Sequence, residues 1–298
     1  MQKRSTLGVM IASAILATGC GGGGGSGSSG GVTETPGNVT ISGRAADGYL
    51  VQANVCADLN TNGSCDAGEP NTTTGEGGVF TLEVPQSGLT AELLVEAIAN
   101  LTIDEDTNQP IPKGFTLRSP IIDEKDAQFV SPVTTMVANE MKNTSVSLER
   151  AKEIVAQRLN TSFDPIKDYV EAAKNSADDS VKQNAERLHR IAQVTARVVA
   201  QIESNVSQTD LDEAGLTKAE FLALVSRQVE LLVSVIVNDI EETLADPNFD
   251  PDSILEGPEY AVEPPINNEP PTTEPNPGTG SDLLSERIAQ AQDANPFY

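Results

Sequence analysis

The chain has 298 residues, with 44 acidic against 19 basic side chains and a formal charge of −25. That excess argues against binding nucleic acid or anionic lipid, because neither phosphate surface attracts it. Trp is absent and aromatic residues make up 4%, which weakens any reading as a sugar-binding platform of exposed rings. The acidity suits cation binding, or equally a surface adapted to a salty medium.

Lys3 and Arg4 precede an apolar stretch from Leu7 to Ala17 that is too short to span a bilayer. The segment closes with Leu16-Ala17-Thr18-Gly19-Cys20 and resembles a bacterial lipoprotein signal, with Ala17 where a larger aliphatic is commoner. The resemblance implies a signal peptide over residues 1–19 and acyl chains on Cys20 as the new first residue. Several acyl chains give the stable anchoring that one cannot. The alternative is an ordinary signal peptide cut elsewhere, with Cys20 a spare thiol. Gly21, not Asp, follows Cys20, which in proteobacterial-type sorting implies the outer membrane. The expected location is therefore the cell envelope, on either face, with loss of Lys3 and Arg4 making the mature chain two units more negative. The best remaining apolar stretch, Leu231 to Val237, is bracketed by Glu230 and Asp239.

Residues 20–37 are rich in Gly and Ser and read as a flexible tether. Across residues 38–124 come short β-prone runs: Val39 to Gly43, Leu50 to Val55, Val79 to Val84, Leu93 to Ile98 and Phe115 to Leu117. Gly, Asn and Asp separate them, a spacing that predicts a small antiparallel β-sandwich. From about Phe129 the period turns helical, and residues 129–255 predict a helical bundle. Ser131 before Pro132 is an N-cap with proline at the first helical position. A second helix is expected over Leu148–Leu159. A third, Asp178–Ser204, has Val181, Ala185, Leu188, Ala192, Thr195, Val199 and Ile202 along one seam. Thr217 and Glu220 form a capping box opening a fourth, to about Ala245. The long helices are expected to pair as an antiparallel hairpin, with a coiled-coil dimer the lesser reading. Residues 256–280 read as a proline-rich disordered linker, and residues 281–298 as a short helix and tail docking on a partner, folding back or fraying. The fold class is thus α+β multidomain.

The sharpest internal pattern is Asp58-Leu-Asn60-Thr-Asn62-Gly63-Ser64-Cys65-Asp66-Ala-Gly-Glu69. Oxygen-bearing side chains fall at positions 1, 3, 5, 9 and 12 with Gly at 6, the spacing of an EF-hand calcium loop. Calcium takes six to eight hard oxygens on a curved backbone, and Ser64 would offer its carbonyl. Three carboxylates and two neutral Asn point to weak binding, about 10⁻⁴ to 10⁻³ M. The flanks are wrong for a true EF-hand, since a β-prone run precedes the loop and Pro70 follows it. A metal-free turn rich in Asn and Asp is the alternative. Cys56 and Cys65 bracket the loop and in an oxidising envelope are expected to form a disulfide, stabilising by roughly 3 kcal/mol.

Asp47-Gly48-Tyr49, the loop itself and Gly78-Val79-Phe80-Thr81-Leu82 together resemble prealbumin-like, carboxypeptidase-regulatory-type β-sandwich modules bearing a DxNxNG loop. The resemblance covers about a seventh of the chain and implies a seven-stranded sandwich used for structure or binding. Ser131-Pro132-Val-Thr-Thr and the helices beyond resemble a region that often follows this module in envelope lipoproteins.

Other candidates are weaker. Asp210-Leu-Asp212 begins like a second calcium loop, but Ala214 and Phe221 spoil it and a helix-connecting loop is expected. Asp104-Glu105-Asp106 reads as a solvated acidic turn. His189, the sole histidine, is assigned a surface or boundary role. No catalytic residue is assigned. The leading reading is a non-enzymatic envelope lipoprotein binding Ca²⁺ and scaffolding or binding another envelope protein, its stoichiometry open. A glycan-binding module with Tyr49 and Phe80 on one face, or an unrecognised hydrolase, follow behind it.

Overall fold

The computed structural model describes residues 37–123 and 127–266. The signal segment, Cys20, the tether and residues 281–298 lie outside the described residues. Ten strands are seen among the described residues: β1 (Asn38–Ala45), β2 (Leu50–Val51), β3 (Asn54–Asp58), β4 (Asn71–Thr73), β5 (Val79–Pro85), β6 (Glu92–Ala97), β7 (Ile103–Asp104), β8 (Gln109–Pro110), β9 (Phe115–Pro120) and β10 (Gln128–Val130). Seven α-helices follow among the described residues: α1 (Pro132–Thr144), α2 (Leu148–Arg158), α3 (Tyr169–Asn175), α4 (Asp179–Ser204), α5 (Gln208–Ala214), α6 (Lys218–Thr243) and α7 (Pro251–Ile254). The fold is α+β, as the sequence pattern predicts.

The strands form three sheets, ordered β10-β1-β5, β2-β7-β8 and β4-β3-β6-β9. In β5, Phe80, Leu82 and Val84 are buried while Val79, Thr81 and Glu83 are exposed, the alternation of a half-solvated antiparallel strand. Leu93, Leu94 and Val95 of β6 are all buried, as expected of a strand covered on both faces. Gly43 of β1 allows close approach of its neighbours, since a Cβ there would overlap the carbonyl oxygen of Gln128 and lie 2.8 Å from Phe80.

Two strand expectations need correction. The run from Leu50 to Val55 is two strands in different sheets, because Gln52 takes a left-handed φ of 63° and its N–H turns to the carbonyl of Thr74. β10, not anticipated, pairs with β1 in parallel.

The helical caps fall where expected. Ser131 and Thr134 make a reciprocal capping box at α1, and Thr217 and Glu220 do so at α6. On α4 the seam is buried except for Val181, which is 38% exposed near the helix start. Buried apolar residues of strands and helices make one continuous cluster, running from Ile41 and Leu117 through Val133 to Leu188 and Ile236. The reason lies at β9, the edge of its sheet. Thr134 and Thr135 of α1 place hydroxyls on the carbonyl of Arg118, and Arg118 N–H donates to Thr135 at 2.8 Å. The helix thereby satisfies an edge strand that would otherwise invite pairing. The chain also stays packed past residue 256. Tyr260 is buried with its hydroxyl 2.7 Å from Asp239, so the first residues of the expected linker belong to the body.

Candidate functional site

β3 delivers Asp58 to the start of the loop, and Cys56 and Cys65 are disulfide-bonded across it with Cα atoms 5.6 Å apart. Cys65 N–H donates to Glu96 of β6 at 3.1 Å, tying the loop to the neighbouring strand. Asp58 is 3% exposed, and its two oxygens accept from the N–H groups of Asn62 and Gly63 at 3.1 and 3.0 Å. Gly63, at φ 81°, makes the turn that brings those amides inward. The carboxamides of Asn60 and Asn62 both donate to one oxygen of Asp66, at 2.8 and 2.6 Å. The structure thus brings residues 60, 62 and 66 to a common point.

Glu69 is placed otherwise. Its carboxylate accepts from the backbone N–H groups of Leu59, Asn60 and Asp66 at 2.8, 3.2 and 3.1 Å, closing the loop through its own backbone. Among the described residues, no three His, Cys, Asp or Glu side chains are grouped so as to hold a metal ion. Asp58, Asp66 and Glu69 offer carboxylate oxygens of the kind a hard cation takes, while Asn60 and Asn62 turn their N–H groups to Asp66 and their oxygens to the backbone N–H of Asn62 and Ser64. Gly63 is buried and sits against the first turn of α6: a Cβ there would lie 3.0 Å from Ala219 Cα.

A second polar centre was not legible along the chain. Asp47, in the turn between β1 and β2, is fully buried, and Asp104 at the end of β7 is 2% exposed. Asp104 is therefore not part of a solvated turn, while Asp106 beside it remains exposed. Facing them on α4 are His189, Gln193 and Arg197, spaced four apart on one helix face. His189 Nε2 lies 2.8 Å from Asp106, and Gln193 donates to the same carboxylate at 2.9 Å. Arg197 donates to Asp47 at 3.2 Å and to Asp104 at 3.3 Å. Burial, reinforced by Asp104, pushes Asp47 up to about 8, and burial also raises Asp104. Burial pulls Asp106 the same way, but His189, Lys174 and Gln193 outweigh it and hold this carboxyl below its usual range. The spacing of His189, Gln193 and Arg197 beside the α4 seam was the available signal that this helix grips something polar.

The remaining candidates resolve simply. Residues 208–214 are helix α5, not a loop, and Asp210 is the capping-box residue that accepts from Ser207 N–H at 2.7 Å. Tyr49 and Phe80 are 4% and 2% exposed, so neither offers a ring to a sugar. A partly open cavity of about 20 Å³ between β9, α1, α4 and α6 is bordered by Arg118, Asn139 and Ser226. Arg118 donates to both Asn139 and Ser226 there. A space of that size holds about one water. Among the described residues, no helix is long and apolar enough to cross a membrane. No protein-family model, curated protein or solved structure matches the chain.

Proposed function

We propose that this chain is a non-enzymatic lipoprotein of the cell envelope, anchored in the outer membrane through acylated Cys20, with a calcium-stabilised body that serves as a structural or protein-binding module. The observation that carries the reading is the Asp58–Glu69 loop. Its spacing is that of a calcium loop, Gly63 makes the required turn, and Asn60 and Asn62 meet Asp66 at one point, where rotation of the two carboxamides would present their oxygens in place of N–H. The ion would take oxygens from Asp58, Asn60, Asn62, Asp66 and Glu69 and the carbonyl of Ser64, and its charge would offset the repulsion of three carboxylates. We read the sheets as a prealbumin-like sandwich and the helices as a bundle built onto it. The buried polar groups fit a scaffold, because they are engaged in joining elements: Arg118 to α1 and α6, Glu203 to β9, Tyr260 to α6.

A calcium titration of the full chain by calorimetry tests the loop. At ten times a weak dissociation constant the gain is only about 1.4 kcal/mol, so a small rise in melting temperature is expected, and Asp58→Ala should remove it. Absence of heat together with an unchanged melting temperature sinks the calcium reading. The anchor is tested by fatty-acid labelling, which Cys20→Ser should abolish. Continued labelling and membrane fractionation of that variant overturn it.

A further inference from the structure

The turns at 46–49 and 104–108 meet α4 through a junction with more carboxylates than cations. We propose that this junction, where Asp47 and Asp104 share the guanidinium of Arg197, is a proton-dependent latch that holds the two turns on α4 and loosens when its proton leaves.

The geometry sets one cation between two acids, with Arg197 NH1 on Asp47 and NH2 on Asp104. Asp47 is fully buried, and its Oδ1 has no hydrogen-bond partner among the described residues. A proton on Asp47 leaves one buried negative charge facing one positive. Released to solvent, it leaves two buried anions on a single guanidinium, where burial disfavours the charged form. Other groups around the junction add to the imbalance. Asp106 accepts from Gln193, lies 2.8 Å from His189 Nε2 and is paired with neither of the Arg197 nitrogens that hold Asp47 and Asp104. From α7, Asp252 approaches Arg197 at 3.6 Å. At the start of α3, Tyr169 reaches the carbonyl of Ala46, and Asp168 accepts from Tyr49 at 2.9 Å. Arg44 and Lys174 stand over the Tyr49 ring at 4.9 and 5.2 Å, and Arg44 also approaches Asp168 at 3.9 Å, so both are further cations on this side. The two turns pack closely, for Gly48 lies so near the carboxylates of Asp104 and Asp106 that any Cβ would overlap them.

The sign follows from the direction of the shift. Asp47 titrates at about 8 in the folded chain against an ordinary 3.8. Its stabilisation is complete below the ordinary value, drains as pH rises, and is gone once pH passes the folded value. The folded junction therefore keeps its proton at neutral pH, while its contribution to stability falls across the range between the ordinary and the raised value. Asp104 shifts the same way and Asp106 the opposite way, and because Asp47 and Asp104 share Arg197, removing the Asp47 charge also relieves Asp104.

Asp47→Asn supplies a neutral side chain of the same shape and so mimics the protonated state. Melting of both full-length proteins should be followed from pH 5 to 9.5. The gap between variant and wild type should widen up to about pH 8 and then stop widening. At pH 9, amide exchange should be slowed about five-fold or more in the variant at the two turns and along the 189–197 face, and equal in α6. Parallel pH curves, or protection altered evenly along the chain, overturn the proposal. Should Asp47→Asn not fold, Asp104→Asn decides the matter. With one acid left on Arg197 the break should move to lower pH, and an unmoved break overturns the latch.

Discussion

Glu203 shows how much one side chain joins in this molecule. At the end of α4 its carboxylate accepts from Thr116 N–H, from the Thr116 hydroxyl and from Lys218, each at 3.0 Å. One acid thus ties α4, the β9 edge and the first turn of α6, and it is 8% exposed. Truncation to Ala would leave a buried strand amide unpaired and Lys218 without its counter-ion. Breaking a buried pair costs about 3–5 kcal/mol, and the partial exposure of Lys218 puts this one near 3. Glu203→Gln keeps an acceptor for Thr116 and loses the charge, so it should cost less than Glu203→Ala. Urea unfolding would show both as lower midpoints with unchanged slope. A Glu203→Ala cost under about 1 kcal/mol would mean that β9 finds another partner.

At the scale of elements, the calcium-type loop is both strapped and wedged. The Cys56–Cys65 disulfide closes its base, Glu96 holds Cys65 N–H, and Gly63 lies under Ala219 of α6. Replacing both cysteines with Ser should lower stability by about 3 kcal/mol on the chain-entropy account. Because the loop bears on the first turn of α6, exchange of the Phe221 and Leu222 amides should quicken in that variant while α1 is unchanged. Equal exchange at those amides would mean the contact is passive. What the sequence makes legible here is local: the alternation in β5, the caps Ser131 and Thr217, the spacing of the loop, the cysteine pair. Gln52 was illegible because its left-handed turn is imposed by Thr74, a partner in another segment. Asp47 was illegible for a stronger reason. It lies 150 positions from Arg197, and only the folded chain shows that an acid in a glycine turn belongs to a helix.

The whole molecule must fold against its own charge of −25. Self-repulsion of that kind acts over the Debye length, about 30 Å at 0.01 M salt and about 8 Å at 0.15 M. Added salt also weakens exposed pairs such as Arg150–Glu153 and Lys152–Glu149, but pairs of this type are worth about 0–1 kcal/mol. The pairs of Arg197 with Asp47 and Asp104 are mostly buried and are screened far less. Relief of long-range repulsion should therefore win, by a margin on the order of 1 kcal/mol, or about 2–4 °C in melting temperature for a chain of this size. NaCl and choline chloride should give the same rise, since screening depends on ionic strength and not on the cation. Calcium added at constant ionic strength should then raise melting further in wild type and not in Asp58→Ala, separating a bound ion from a screening one. If melting falls as NaCl rises, local ion pairing outweighs the net charge, and the acidic surface is balanced in patches that the overall count conceals.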